Sequence, residues 1–180
     1  DGMPSEFGTN HRPAKPRAFI SYSRTDAAFC SRLADALEAR GYEPTYDQSE
    51  RVYDDPDARL TAQDEWWTQL KAMIAACDVM IFVVSPNSAA SAVCDNEIAY
   101  ARSLGKRVIP ILRDAIDFRT APERLRALNV KLDFRDDSGS AFDASLANLV
   151  AELGLDIDWH RRGTRLIRQA QQWDADGRPD

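Results

Sequence analysis

The chain has 180 residues, of which 44% are hydrophobic and 29% charged, enough for one domain with a substantial apolar core. Its formal net charge of −6 argues against a nucleic-acid-binding protein, because such proteins cluster Lys and Arg against the phosphate backbone. No stretch approaches roughly 18 consecutive apolar residues, so the sequence predicts no membrane span.

Few residue types are available for chemistry. The two histidines, His11 and His160, lie in opposite terminal segments, which argues against a histidine metal site or a Ser-His-Asp triad. The glycines form neither a dinucleotide-binding fingerprint nor a phosphate-binding loop. Three cysteines lie inside apolar patterns and are expected to be reduced core thiols of a cytoplasmic protein: Cys30, Cys77 and Cys94. If the chain is an enzyme, carboxylates must carry its chemistry.

The first predicted elements form a strand–helix–strand unit. Residues 1–16 lack an apolar core and are predicted to be a disordered leader or a remnant of cloning. Residues 17–22 are β-rich and predict the first strand, while residues 42–46 predict the second. Between them, a helix ending at Gly41 is indicated by apolar residues at helical spacing: Phe29, Leu33, Ala36 and Leu37.

A long polar and acidic segment follows the second strand. Residues 47–63 are predicted to form a loop, and loops of this length are usually functional or mobile. Thr61 and Asp64 resemble a capping box that would open the second helix. The apolar stripe of that helix is predicted to contain Trp67, Leu70, Ile74 and Cys77.

The second half continues the alternation of strands and helices. The apolar run at 79–84 predicts a strand buried on both faces, and a helix is predicted at 91–104. Strand four is predicted at 106–112 and strand five at 129–133. Between them, a capping box at Thr120 and Glu123 predicts a short helix that ends at Leu128. A last helix is predicted at 142–153 and ends at Gly154.

Residues 155–180 differ in character from the preceding domain. An apolar face at helical spacing alternates with arginines, so the segment predicts a C-terminal helix. The helix is predicted either to pack on the domain or to connect it to a downstream module, and we favour the connector.

Five strands alternating with helices predict an α/β protein with a parallel sheet and right-handed crossovers. The flavodoxin-like three-layer fold with strand order 2-1-3-4-5 is the economical choice. It places the switch point, where ligands bind in such folds, between strands one and three. We therefore expect Tyr22, Ser23 and Arg24 to face Ser85 and Asn87 across one crevice.

Glu97 is the acid expected beside that crevice. At about 100° per residue, the core stripe of its helix contains Cys94 and Ile98, and Glu97 lies about 70° away on the flank shared with Val93 and Tyr100. Helix geometry thus predicts a half-shielded boundary acid, and by itself favours a solvated glutamate over a functional one.

Two motifs give the chain a resemblance to a known family. The first, F-[IL]-S-[YH]-x-x-x-D, is present as Phe19, Ser21, Tyr22 and Asp26. The second, a buried strand ending in Ser followed by S-x-x-C-x-x-E, is present as Ser85, Ser91, Cys94 and Glu97. With these motifs, residues 17–154 resemble a bacterial TIR (Toll/interleukin receptor/resistance) domain of the NAD-hydrolysing type.

The resemblance implies an enzyme that cleaves NAD+ at the nicotinamide–ribose bond, with Glu97 as the essential acid and NAD+ as substrate rather than cofactor. The products would be nicotinamide and ADP-ribose or a cyclic form of it. Activation by self-assembly in bacterial antiphage or stress defence is also implied. With the resemblance counted, the functional interpretation of Glu97 is favoured over the solvated one.

Further substrate-binding positions follow from the same resemblance. Ser21, Tyr22 and Ser23 are predicted to contact ribose or phosphate, and Arg24 a diphosphate, while ordinary packing and solvation are the alternatives. The other predicted substrate-binding residues are Ser85, Asn87, Val93, Tyr100 and Trp66. Val93 departs from the family, because many active members carry an aromatic residue there. Trp66 and Trp67 are adjacent, so only one is expected to face the core. Trp67 fits the core stripe, which leaves Trp66 for ring stacking, for an interface, or as a chance exposed aromatic.

A non-catalytic TIR adaptor that binds other TIR domains is the competing function. A phospho-acceptor receiver domain shares the sheet order but needs an acidic residue at the end of strand three, where Ser85 stands. The expected partners are NAD+, other TIR domains and further domains of a longer protein, with no metal, nucleic acid or membrane.

Overall fold

The computed structural model describes residues 15–48 and 56–155. The predicted leader and the predicted connector helix lie almost entirely outside these ranges. The elements in chain order are β1 Arg17–Ser21, α1 Ala27–Glu38, β2 Glu43–Thr45, α2 Pro56–Ala76, β3 Val79–Val84, α3 Pro86–Ala89, α4 Ala92–Ser103, β4 Val108–Leu112, α5 Glu123–Arg126, β5 Leu132–Asp133 and α6 at 139–155.

The five strands form one parallel sheet in the order β2-β1-β3-β4-β5, which confirms the predicted fold. Ile81 of the central strand lies opposite Ile20 on one side and Ile109 on the other. All six residues of β3 are buried, as expected for a strand covered on both faces.

Alternate residues of β3 enter two separate cores. Ile81 and Val83 belong to the first core, which α1 and α6 cover through residues that include Leu33 and Leu146. Met80, Phe82 and Val84 belong to the second core, which α2 and α4 cover through Leu70, Ile74 and Ile98. The period of two along a strand produces this division, and it yields the three layers of the fold.

Helix α2 begins earlier than the sequence predicts. The loop predicted over 47–63 is wrong from Pro56 onward, and Thr61 lies inside the helix instead of capping it. Proline is well suited to the first helical position, where its fixed φ is already helical and its missing N–H is not needed. The polar sequence after it carries few large apolar residues, so hydrophobic periodicity gave no signal for these two turns.

The helices at the end of the domain also depart from their predicted boundaries. The predicted capping box before α5 is absent, because Pro122 is the N-cap and Thr120 donates instead to the Asp117 carbonyl at 3.1 Å. Helix α6 passes through Gly154, the predicted stop. Strand β5 is reduced to Leu132–Asp133. The capping box at Thr120 and the stop at Gly154 therefore do not predict where these two helices begin and end.

The three cysteines are free and buried, as predicted. Burial is the main cause that raises the pKa of Cys30 to about 12 and that of Cys94 to about 11, with the nearby carboxylates of Asp26 and Glu97 adding to it. Burial also raises the pKa of Cys77. At neutral pH all three thiols are therefore protonated, and a protonated thiol is a poor nucleophile.

We expect the folded protein to react very slowly with a thiol reagent at pH 8. With a pKa of about 11, about one thousandth of the Cys94 thiol is ionised at that pH, and the side chain is 2% exposed. Absorbance after adding 5,5′-dithiobis(2-nitrobenzoate) measures the reaction. The same protein in denaturant should release three equivalents at once, and a single fast thiol in the folded protein would contradict the expectation.

Candidate functional site

A cavity lies at the carboxyl end of β1, against the first turns of α4. Its volume is about 230 Å³. The residues that line it are Ile20, Tyr22, Ser23, Arg24, Asp47, Ser91, Val93 and Glu97. Helix α4 starts here because Ser91 caps it, its side chain accepting a hydrogen bond from the Cys94 amide at 3.3 Å. The cavity thus occupies the side of the sheet edge where ligands bind in flavodoxin-like folds.

Glu97 is buried at the wall of this cavity, with 4% of its surface exposed. The hydroxyl of Ser21, itself 1% exposed, donates a short hydrogen bond to Oε2 of the carboxylate. The predicted half-shielded flank position is therefore wrong. Periodicity counts only the core stripe of the helix, whereas the end of β1 covers this flank as well. Burying a carboxylate costs free energy, and the hydrogen bond from Ser21 reduces that cost.

Asp47 joins three other parts of the site and was not predicted individually. Its backbone carbonyl accepts a hydrogen bond from the Tyr22 hydroxyl at 2.8 Å. Its carboxylate accepts one from Trp66 Nε1 at 2.9 Å and lies 3.9 Å from the Arg24 guanidinium. Its position just beyond β2 could have indicated that Asp47 belongs to the site, because the carboxyl ends of parallel strands share one edge of the sheet.

Tyr22 contributes a neutral hydroxyl to the site. Burial is the first cause that raises the pKa of Tyr22 to about 12, and the nearby Cys30 and Asp47 raise it further. The hydroxyl therefore stays protonated at physiological pH and donates a hydrogen bond to the Asp47 carbonyl. The backbone carbonyl of Tyr22 accepts a weak hydrogen bond from the Cys94 thiol at 3.5 Å, which holds the β1 exit against α4.

Ser85 and Asn87 lie beside the cavity but are not among its lining residues. Ser85 is 1% exposed, and its hydroxyl donates to Asp26 Oδ2 at 2.6 Å. The Asn87 amide donates to Thr25 Oγ1 at 3.0 Å. The exits of β1 and β3 therefore meet, as the sheet order predicts. The expectation that Ser85 and Asn87 line one crevice with Tyr22, Ser23 and Arg24 is wrong, because hydrogen bonds to Asp26 and Thr25 hold both side chains against the turn after β1.

The remaining predicted residues divide between the cavity and an aromatic group behind it. Val93 lines the cavity. Tyr100 packs edge-to-face on Trp67, with ring centroids 6.3 Å apart, and Trp66 lies 6.2 Å from Trp67. Both tryptophans are half-buried and pack against the second core, so the predicted split into one core and one outward tryptophan is too sharp.

Within residues 15–48 and 56–155, no helix combines the length and apolar composition that crossing a membrane requires. The same part of the chain contains no group of three or more His, Cys, Asp or Glu side chains able to hold a metal ion.

The sheet order defines a flavodoxin-like α/β domain, and its candidate site is the cavity between the β1 exit, Asp47 and the start of α4. The family model described as "TIR domain" matches residues 18–150, so the chain belongs to the TIR domain family. No curated protein sequence matches the chain.

Several solved TIR structures share this fold. The TIR domain of the Toll-related receptor TRR-2 from Hydra magnipapillata is 21% identical, with a TM-score of 0.53 over 75% of this chain and 95% of that one. The TIR domains of the activated Roq1 resistosome are 14% identical, with a TM-score of 0.52 over 77% of this chain and 99% of that one. The RPS4–RRS1 TIR heterodimer is 16% identical, with a TM-score of 0.51 over 79% and 97%. At these identities the likeness concerns the fold.

Proposed function

We propose that this chain is a NAD+ nucleosidase of the bacterial, NAD-hydrolysing TIR type, with Glu97 as its catalytic residue. The burial of the Glu97 carboxylate at the wall of the cavity, with Ser21 donating to it, is the observation that carries the proposal. Buried carboxylates that line a cavity occur often at functional sites, because burial and neighbouring groups adjust their chemistry there.

The chemistry suits a single carboxylate. The bond between ribose C1′ and the pyridinium nitrogen breaks, and its electron pair leaves with nicotinamide, which becomes neutral. The ribose develops oxocarbenium character, and the negative charge of Glu97 stabilises it from the cavity wall. Water then attacks C1′ and releases a proton to solvent to give ADP-ribose, or a nitrogen of the adenine attacks C1′ and the adenine releases a proton to solvent to give a cyclic product.

The size and charge of the cavity favour the nicotinamide riboside end of the substrate. About 230 Å³ is less than the roughly 300–1,000 Å³ that drug-sized ligands occupy, so only part of a dinucleotide fits inside. In this proposal Glu97 supplies the negative charge near the cationic ring, because the Asp47 carboxylate lies beside the Arg24 guanidinium. Arg24 is half exposed, with 51% of its side chain accessible, and in this proposal it would contact the diphosphate outside the cavity. Ser23 and Val93 would contact the ribose and the base.

A non-catalytic module for TIR–TIR contacts is the second candidate, and the RPS4–RRS1 heterodimer, whose fold is similar, favours it. Self-association is also compatible with the enzyme, since a partner chain can complete a cavity that is small in one protomer. We further propose a cytoplasmic protein that acts in bacterial defence, with residues 155–180 leading to another module.

The test is incubation of the purified protein with NAD+ at dilute and at crowded concentrations, followed by chromatography of nicotinamide and the adenine-containing products. We expect nicotinamide release, with a higher rate per molecule at the higher protein concentration. Absence of nicotinamide from folded protein at every concentration would refute the enzyme and leave the interaction module, which sedimentation would then examine. The product peak distinguishes linear from cyclic ADP-ribose.

A further inference from the structure

We propose that Asp26 and Ser85 are positioning residues of this site, because the hydrogen bond between them fixes the turn that presents Ser23 and Arg24 to the cavity. The proposal rests on the proposed function and adds to it two residues that are not lining the cavity.

Asp26 occupies the N-cap position of α1 but does not cap it. An aspartate at this position normally accepts a hydrogen bond from an amide of the first turn, a contact worth about 1 kcal/mol. Here the side chain makes no capping bond. Its Oδ2 accepts the Ser85 hydroxyl at 2.6 Å instead. A local stabilising contact is thus replaced by one to another strand, which is the kind of broken local rule found at functional sites.

Ser85 is held in a fixed orientation for this bond. Its side chain accepts a hydrogen bond from the Ser88 amide at 3.2 Å, while its own amide donates to the Ser88 hydroxyl at 2.9 Å. This reciprocal pair is a capping box at the start of α3. Because α3 follows β3 directly, the Ser85 hydroxyl is anchored to the central strand of the sheet.

A second connection reaches the cavity itself. The Asn87 amide donates to Thr25 Oγ1 at 3.0 Å, and Thr25 Oγ1 lies 3.1 Å from Ser23 Oγ. Ser23 lines the cavity, so a chain of side-chain contacts leads from the β3 exit to the site. The turn Arg24–Asp26 is a single 3₁₀ turn without a side-chain cap of its own. Two of its three residues, Thr25 and Asp26, accept hydrogen bonds from the β3 exit, while Arg24 lies near Asp47 at the cavity.

The different positions of Glu97 and of Ser23 and Arg24 predict which kinetic constant changes. Glu97 accepts a hydrogen bond from Ser21, which is part of β1, so this contact does not involve the turn. Ser23 and Arg24 do depend on it, and they would contact the ribose and diphosphate without touching the bond that breaks. Losing the connection should therefore weaken substrate binding and leave the chemical step largely intact.

The experiment compares Asp26→Ala, Asp26→Asn and Ser85→Ala with the wild-type protein, using Asp35→Ala on the exposed face of α1 as the control. Asp26→Ala is expected to raise the KM for NAD+ about 10-fold or more and to change kcat less than about 3-fold, because a hydrogen bond to a charged group contributes substantially to holding the turn. Asp26→Asn keeps an acceptor oxygen for Ser85 and should restore most of the loss. The double variant Asp26→Ala/Ser85→Ala should be no worse than Asp26→Ala alone.

Three outcomes would overturn the proposal: an unchanged KM in Asp26→Ala, equal defects in Asp26→Ala and Asp26→Asn, or additive defects in the double variant. Hydrogen exchange of the Asp26 amide, which donates to the Ser23 carbonyl at 2.8 Å, supplies a reading independent of activity. Exchange should accelerate in Asp26→Ala and Ser85→Ala but not in Asp35→Ala. If the wild-type protein releases no nicotinamide, the proposed function fails, and exchange alone then decides whether the turn is held from β3.

Discussion

Glu97→Gln is expected to lower kcat for nicotinamide release at least about 100-fold while the protein stays folded. The substitution keeps the size of the side chain and an oxygen that accepts the Ser21 hydroxyl. It removes the negative charge, which is the property that the oxocarbenium-like ribose requires. Initial rates of nicotinamide release, measured on wild type and variant at equal protein concentration, give the comparison.

Asp95→Asn is the matched control, because it removes a carboxylate from the same helix. Asp95 lies 3.2 Å from Arg124 in an ion pair that is more than a third exposed, and its loss should leave the rate within about 2-fold. Thermal unfolding of Glu97→Gln checks separately that the variant stays folded. A Glu97→Gln variant that retains more than half of the wild-type rate would remove Glu97 from the mechanism.

Phe82→Ala is expected to reduce the free energy of unfolding by about 3–5 kcal/mol. Phe82 is wholly buried in the middle of the central strand and packs in the second core. The truncation removes a ring and leaves a cavity that β3 cannot close, since β1 and β4 flank it on both sides. Urea unfolding followed by circular dichroism measures the change.

Leu104→Ala provides the comparison for that loss. Leu104 is one of the exposed large hydrophobic residues, with 44% of its surface accessible, so its truncation should cost less than about 0.5 kcal/mol. Similar losses for the two variants would mean that the second core does not hold the sheet together as its burial indicates.

The fold could be predicted because its strongest signals are local and repeat along the chain. The apolar run of β3 and the helical spacing in α1 and α4 depend only on neighbouring residues, and the alternation of strands with helices leaves few topologies. Boundaries were weaker wherever a capping pattern competed with packing. Thr120 and Gly154 both satisfied a sequence rule, yet α5 starts after Pro122 and α6 continues past Gly154.

The site was harder to predict because its contacts join distant strands. Helical periodicity describes one helix at a time and cannot show that β1 covers the flank of Glu97. It therefore does not predict the burial of this acid. Asp47 acquires its partners only once β2 and α2 are in place. For Ser85, the motif predicts a place in the site, whereas its hydrogen bond to Asp26 follows only from the folded structure.

The hydrogen bond between Ser21 and Glu97 joins residues 76 positions apart in the sequence, and Ser85 meets Asp26 across 59. While the chain is being synthesised, β1 emerges long before α4 exists to face it. An incomplete product that stops before residue 97 therefore contains Asp47 but lacks the carboxylate that accepts the Ser21 hydroxyl. Under the proposed function, activity must wait until α4 has been synthesised and packed against β1.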